Sequence, residues 1–350
     1  NRGRGRAERY ALRVRVPAKP DEISLDWLAE VLAPGAPRSL RGFRAERIGV
    51  GFGLAGVLAR ITLDADATLP ASIVAKWSPA AKGDREARFL RDVAPRLDVR
   101  TPELLHSFPD AGEGRTLLLL EDLAPAAQGD CLVGATPAEA LALVRAQAAL
   151  HAPFWERIDD PAVAWIRRFE HDPKVEAERF AQCLPAFMEK EGDGLPPRAR
   201  RIAERLPDLI PKALEELRAA PATVIHADLH LDNVLFRADG TAVVLDWTDT
   251  ARGPAAADLS RLEFECLTPE TRRAERDRLV AAYLEALEGR GVRGYGADRL
   301  RRDVDRASLL SFGWAMRWVT REEGFSDAGP RVDRLVANLV RNGAAILEDM

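Results

Sequence analysis

Cysteine is scarce in this chain. Cys131, Cys183 and Cys266 form an odd, scattered set with no Cys-x-x-Cys spacing. That excludes a disulfide framework, fits reduced thiols in a cytoplasmic protein, and leaves no candidate nucleophilic cysteine. Histidine is nearly as rare, with 5 residues. Long apolar runs are missing: the strongest, Leu117 to Leu120, is far too short to span a bilayer. Neither sign of charge dominates, because 51 Lys and Arg face 55 Asp and Glu for a formal net charge of −4. No nucleic-acid surface, no membrane surface and no obligate protein partner is implied. The opening Asn1-Arg2-Gly3-Arg4-Gly5-Arg6 lacks the apolar stretch of a signal peptide. Arg/Gly alternation can touch RNA or anionic lipid, but residues 1–20 read mainly as a disordered tail and lead-in. Internal repeats and extended low-complexity segments are absent.

What is present is ordinary globular material, 47% hydrophobic and 30% charged, long enough for two domains or one two-lobed one. Asp21 to Leu32 has helical apolar spacing and stops at Ala33-Pro34-Gly35. Strand texture follows at Ala45 to Ile48, Gly56 to Leu63 and Ser72 to Trp77, then a helix over Gly83 to Leu97 ending near Pro95. Two more strands, Leu104 to Phe108 and Thr116 to Leu120, flank an acidic, glycine-containing turn. From Pro137 onward almost everything outside 222–247 reads as helix. The expected organisation is a five-stranded sheet lobe at 21–121 and a mainly helical lobe at 122–350.

The densest chemistry lies in His226-Ala227-Asp228-Leu229-His230-Leu231-Asp232-Asn233. A hairpin follows, Val234 to Arg237 and Ala242 to Leu245 around Ala238-Asp239-Gly240, and then Asp246-Trp247. A hairpin returns the chain to its start, so Asp228 and Asn233 are expected beside Asp246. A carboxylate that takes a proton from a hydroxyl, with an amide and a second carboxylate on Mg²⁺, is the set that phosphoryl transfer from a nucleotide needs. Two other readings stay open. Asp228 and Asp246 cap turns in one. In the other, His226, Asp228 and His230 share one strand face as zinc ligands, although no second ligand cluster is visible.

Two features upstream suit nucleotide binding. Gly49-Val50-Gly51-Phe52-Gly53-Leu54-Ala55-Gly56 joins two expected strands, where Gly49, Gly51 and Gly53 let backbone N–H groups approach phosphate oxygens. A strand follows it rather than a helix, which disfavours a dinucleotide turn. Lys76 lies in an otherwise apolar strand and needs an anion. Glu86, ten residues on, supplies one carboxylate, and the nucleotide phosphates the other. Lys82 and Glu103 compete for these roles but read as solvated charges.

His226-x-Asp228-x-x-x-x-Asn233, with Asp246 thirteen residues further, resembles the catalytic loop and metal-binding Asp of the protein-kinase-like superfamily. Further phrases narrow the likeness: Glu86-Ala87-Arg88-Phe89-Leu90, Leu120-Glu121-Asp122-Leu123, Ala148-Ala149-Leu150-His151-Ala152-Pro153-Phe154-Trp155, and Gly253-Pro254-Ala255-Ala256-Ala257-Asp258-Leu259. Together they look like the aminoglycoside/choline phosphotransferase group, and most like its ecdysteroid-kinase-like (CHK-kinase-like) branch, from about Asp21 to Ala345. No Ala-Pro-Glu segment or long activation loop separates Asp246 from Asp258, unlike a protein kinase. Ala227 departs from the usual Gly of His-Gly-Asp, and Trp247 from the usual Phe.

The resemblance implies an α+β bilobal protein-kinase-like fold and an ATP- and Mg²⁺-dependent phosphotransferase acting on a small-molecule hydroxyl acceptor. Asp228 is then the catalytic base, Asn233 and Asp246 the metal ligands, and Gly49, Gly51, Gly53, Lys76 and Glu86 the phosphate-binding set. The carbonyl of Glu121 and the N–H of Leu123 would meet adenine. Asp258 would tie down the catalytic loop, His226 would buttress it, and His151 would be a structural link. The competing function is a catalytically silent pseudokinase, which has no physical need for the complete charged set. The acceptor is expected between the catalytic loop and the helices of 137–215 and 290–345, where Trp155, Trp165, Phe169, Trp314 and Trp318 are dense. Trp314 and Trp318 share a helix face, one expected as core and the other as pocket wall. Ten acids against six bases over 156–194 permit a cationic acceptor without establishing one.

Overall fold

The structure is a computed structural model and describes residues 15–49, 56–109, 114–320 and 329–350. Its elements run in two stages, sheet first and helices second. Helix α1 (Leu25–Leu32) begins where the Ser24 hydroxyl accepts the Trp27 N–H at 3.2 Å, a cap that satisfies one of the orphan donors of a helix start. Five strands follow: β1 (Leu40–Ile48), β2 (Val57–Ala65), β3 (Ser72–Pro79), β4 (Leu104–Pro109) and β5 (Arg115–Glu121). They form one antiparallel sheet in the order β1-β2-β3-β5-β4. Helix α2 (Ala80–Asp92) connects β3 to β4 and ends earlier than the sequence suggested. A 3₁₀ turn, Ala94–Arg96, takes its place, since the residue before Pro95 is disfavoured in α geometry.

The chain divides into two compact units. One takes the described residues up to 95 together with Thr101–Pro125 and Asp246–Thr248; the other takes Arg96–Arg100, Ala126–Leu245 and Asp249–Met350. In the sheet unit, alternate residues of β2, β3 and β5 enter one apolar core with α1, among them Ile61, Ile73, Ala75, Trp77, Leu117 and Leu119 against Trp27 and Leu28. Each large side chain so buried contributes roughly 1.5–3 kcal/mol. Part of the expected tail joins this core. Val16 packs on it, and the Pro17 carbonyl accepts the Trp77 indole N–H at 2.7 Å. Residues 1–14 lie outside the described residues.

The helical unit carries β6 (Ala127–Gln128), α3 (Pro137–His151), α4 (Pro173–Glu191), α5 (Pro197–Glu204), α6 (Leu206–Arg218) and β7 (Ala222–Ile225). The hairpin β8 (Val234–Phe236) and β9 (Ala242–Val244), strand β10 (Ala251–Pro254), α7 (Ala256–Arg261), α8 (Pro269–Gly289), α9 (Ala297–Thr320) and α10 (Gly329–Asp349) complete it. Caps start its helices: Thr136 and Glu139 make a reciprocal capping box on α3, and Asp172 accepts two N–H groups of α4. Helix α9 packs against α4, α6, α7 and α10. Gly313 of α9 lies flush on the Phe180 ring of α4, where a Cβ would collide. Among the described residues no helix is long and apolar enough to cross a membrane.

Candidate active site

In the sheet unit the pleat of β3 sends Ile73, Ala75 and Trp77 into the core and Lys76 to the opposite face. Lys76 is nevertheless 9% exposed, so its ammonium needs counter-charge. Two carboxylates supply it. Nζ lies 2.7 Å from Glu86 Oε2 on α2 and 3.1 Å from Asp246 Oδ1. Burial alone would lower the Lys76 pKa, but Glu86 and then Asp246 outweigh it and hold it above the ordinary value. Burial pushes Glu86 upward against the pull of Lys76. The structure thus joins the expected Lys76–Glu86 pair and adds Asp246 as the second anion.

Trp247 explains how Asp246 is held. Its wholly buried ring stacks on Phe89, three residues beyond Glu86 on α2, with centroids 4.3 Å apart and planes 13° apart. Asp246 itself has φ +57°, a left-handed conformation that Asp tolerates better than most residues. At the end of β5, the Glu121 N–H donates to the Glu103 carbonyl and its carboxylate accepts the Glu103 N–H. Leu123 follows Asp122, whose buried carboxylate accepts from Arg60 and Ser72, each at 2.7 Å. The sequence reading passed over Asp122, yet it orders this segment. Gly49 takes φ +70°, a conformation glycine adopts without cost, whereas Gly51 and Gly53 lie outside the described residues.

In the helical unit the segment after β7 is held through its backbone. Asp258, fully buried on α7, accepts the N–H groups of His226 and Ala227, both at 2.8 Å. Its Oδ2 also meets His151 Nε2 at 3.2 Å, and His151 Nδ1 meets the Tyr283 hydroxyl at 2.8 Å. Burial would raise the Asp258 pKa, but His151, His226 and the loop N–H outweigh it and hold it below the ordinary value. Ala227 takes φ +64°, the conformation for which glycine is suited, at a cost of roughly 1–2 kcal/mol. His226 Nε2 donates to the Leu245 carbonyl at 2.9 Å, so its Nδ1 is the nitrogen that receives the Asp228 N–H at 3.3 Å. The Asn233 amide donates to the Asp228 carbonyl at 3.0 Å, and the Leu245 N–H closes the hairpin on the Asn233 carbonyl at 2.8 Å.

Sequence reasoning missed Arg261. Its guanidinium lies 3.1 Å from Asp228 Oδ1 and 2.6 Å from Glu265, with the Trp314 ring 5.9 Å away. Burial would raise the Asp228 pKa; Arg261 and His230 overcome it and hold the carboxyl well below the usual carboxylate range. The only available signal was an arginine one helical turn after Asp258, four residues before Glu265.

Two expectations need correction. Residues 226–230 are a loop, not a strand, and both nitrogens of His226 are engaged by backbone, so the zinc reading on one strand face fails. Neither Trp314 nor Trp318 is core. Trp314 is half-buried against Phe169 and His171, with Arg261 of α7 over its ring, and Trp318 is 36% exposed. Trp155 goes elsewhere, to Tyr295. Folding also brings Cys131, His230 and Asp232 together, a grouping that was not visible in the sequence.

Residues 65–300 match the profile of a family described as the phosphotransferase enzyme family. No curated protein matches the chain. Among solved structures, an aminoglycoside phosphotransferase from Alicyclobacillus acidocaldarius aligns with TM-score 0.58 at 14% identity, covering 96% of each chain. A spectinomycin phosphotransferase solved with ADP and spectinomycin gives 0.58 at 12%, covering 87% of this chain and 93% of that one. Choline kinase from Cryptosporidium parvum gives 0.54 at 13%, covering 91% and 94%. These likenesses show a shared α+β fold, with a five-stranded antiparallel sheet and a mainly helical portion.

Proposed function

The chain belongs to the phosphotransferase enzyme family, and from that premise we propose that it transfers the γ-phosphoryl group of ATP, with Mg²⁺, to a hydroxyl of a small molecule. The observation that carries this reading is the buried Lys76, held between Glu86 and Asp246. A lysine so placed offers a fixed positive charge to phosphate oxygens. Glu86 aims it. The backbone of Gly49, Gly51 and Gly53 would cover the phosphates, and the Glu121 carbonyl and Leu123 N–H would meet adenine.

Asp228 takes the proton of the acceptor hydroxyl. Arg261 keeps it ionised so that it can, and Asp258 and His226 hold its loop through the backbone. Asn233 and Asp246 would hold Mg²⁺. Asn233 uses its amide nitrogen on the Asp228 carbonyl, which leaves Oδ1 as the atom to face a cation, and no hydrogen bond to Oδ1 occurs among the described residues. Hard oxygen donors of this kind suit Mg²⁺, which when bound offsets negative charge on the phosphates. The acceptor would meet Trp314 and Phe169 beside Arg261. Spectinomycin, aminoglycosides and choline, named for the structural neighbours, are the first acceptors to assay. Membership of the ecdysteroid-kinase-like branch rests on the shared sequence phrases, and a cytoplasmic location on the three free thiols.

Thermal shift with Mg-ATP tests the reading. Wild type should gain about 2.7 kcal/mol at 100 times Kd. Asp246→Ala should lose that gain, and Asn233→Ala should lose part of it. Equal shifts in wild type and Asp246→Ala would overturn the metal assignment. Mass spectrometry of acceptors for a gain of ~80 Da reads out transfer itself.

A further inference from the structure

Three side chains with metal-binding chemistry meet beside the catalytic loop; phosphoryl transfer gives no part to Cys131 or Asp232, and touches His230 only through its neighbour Asp228. Cys131 Sγ lies 3.7 Å from His230 Nδ1, and one carboxylate oxygen of Asp232 completes a group whose ligand atoms all lie within 4.8 Å of one another. Zinc bonds of about 2.3 Å to sulfur and 2.0 Å to nitrogen at a tetrahedral angle put those two atoms roughly 3.5 Å apart. The Cys131–His230 spacing of 3.7 Å is close to that value, and the Asp232 oxygen, within 4.8 Å, needs only a small inward shift to join them.

The backbone builds this arrangement. Strand β6 pairs with β8, Gln128 Nε2 donates to the Asp232 carbonyl at 2.6 Å, and the Gly129 N–H donates to the Val234 carbonyl at 3.0 Å. A Cβ on Gly129 would stand 2.5 Å from the Leu231 carbonyl oxygen, so this close approach of the two segments requires glycine. The Cys131 N–H donates to Asp232 Oδ1 at 3.0 Å and fixes the third ligand next to the first.

Arg331 is the apparent objection, because its guanidinium lies 2.9 Å from both oxygens of Asp232. It also lies 2.8 Å from Asp130. Asp130 can hold Arg331 while Asp232 gives one oxygen to a metal. The local charges then cancel: a divalent ion and Arg331 balance a Cys131 thiolate, Asp232 and Asp130.

We propose that Cys131, His230 and Asp232 form a binding site for a soft divalent cation, zinc above all, with the fourth position left to water. Binding releases to solvent the Cys131 thiol proton and, from a charged His230, the Nδ1 proton. It also commits His230 Nδ1, which leaves Nε2 as the N–H nitrogen, 3.7 Å from Asp228 Oδ2; the Asn233 amide nitrogen, 3.1 Å from Nε2, then keeps only its bond to the Asp228 carbonyl. The site stands independently of the kinase reading, and its test involves no turnover.

The test loads Co²⁺, as a spectroscopic substitute, and Zn²⁺ onto the metal-free full chain in excess Mg²⁺ without nucleotide. One equivalent should bind with a thiolate-to-cobalt charge-transfer band that Zn²⁺ removes. Cys131→Ser should abolish the band and weaken zinc by more than the roughly 10–100-fold that an outer-shell loss costs, with an unchanged metal-free melting temperature. In wild type, zinc should also slow alkylation of Cys131 and leave Cys183 unaffected. A wild type without the band, or a Cys131→Ser variant that binds zinc equally well, would overturn the site. If Cys131→Ser fails to fold, alkylation of wild-type Cys131 at an equal rate with and without zinc does the same.

Discussion

The two charged regions of this molecule are held in place by opposite means. In the sheet unit, Lys76, Glu86 and Asp246 hold one another, with the side chains of Glu86 2% and Lys76 11% exposed. In the helical unit, Asp228 is 36% exposed, and its position is delegated to backbone contacts with Asp258, His226 and Asn233. The difference predicts where stability and function separate. A charge that is part of its own scaffold cannot be removed without structural cost, whereas a charge carried on a scaffold can.

The sharpest test is Asp228→Asn. Turnover should fall by about 10²–10⁴-fold with Mg-ATP binding retained and melting temperature nearly unchanged, because Arg261 keeps Glu265 as a partner. A drop of several degrees would show Asp228 to be scaffold as well, and the comparison would break.

Lys76→Met should behave in the reverse way, costing roughly 3–5 kcal/mol in chemical denaturation, since it leaves Glu86 buried without its cation. The sign with pH follows from burial, which raises the Glu86 pKa. The folded state favours the protonated acid, so the deficit should shrink as pH falls from about 8 to about 5. A deficit that does not vary with pH would remove Glu86 as its source.

Asp258→Asn loses charge-assisted acceptors for two backbone N–H groups, at about 1.5–3 kcal/mol each. Turnover should fall while the Mg-ATP thermal shift persists; loss of that shift would tie Asp258 to the nucleotide.

The smallest expected effect is from Ala227→Gly. Relief of the left-handed Ala returns roughly 1–2 kcal/mol, and the freer unfolded glycine gives back ~0.4–1, so the denaturation midpoint should rise by the equivalent of up to about 1.6 kcal/mol. A lower midpoint would mean that the Ala227 methyl packs usefully.

Elements with a strong local signature were legible in the sequence. The alternation of β2, β3 and β5 and the turn at Gly240, which takes φ +82°, needed only neighbours in the chain. Helix ends were less so. The sequence reading ended α2 near Pro95 within a span of Gly83 to Leu97, whereas the helix runs from Ala80 and stops at Asp92, since the bias against α geometry falls on the residue before the proline. The tryptophans of α9 were illegible in another way, because period four says that they share a face and nothing about what covers it.

By itself, the sequence determined which residue types recur at which spacing, and therefore which charged residues to single out: Lys76, Glu86 and Asp246 in one unit, Asp228, Asn233 and Asp258 in the other. Tertiary structure alone decided their partners. It gave Lys76 a second carboxylate, paired Arg261 with Asp228, and set Cys131 beside His230 across 99 positions of sequence. The physical reason is range: propensity and periodicity act over a few residues, whereas counter-charges are recruited from wherever folding brings a side chain within about 4 Å.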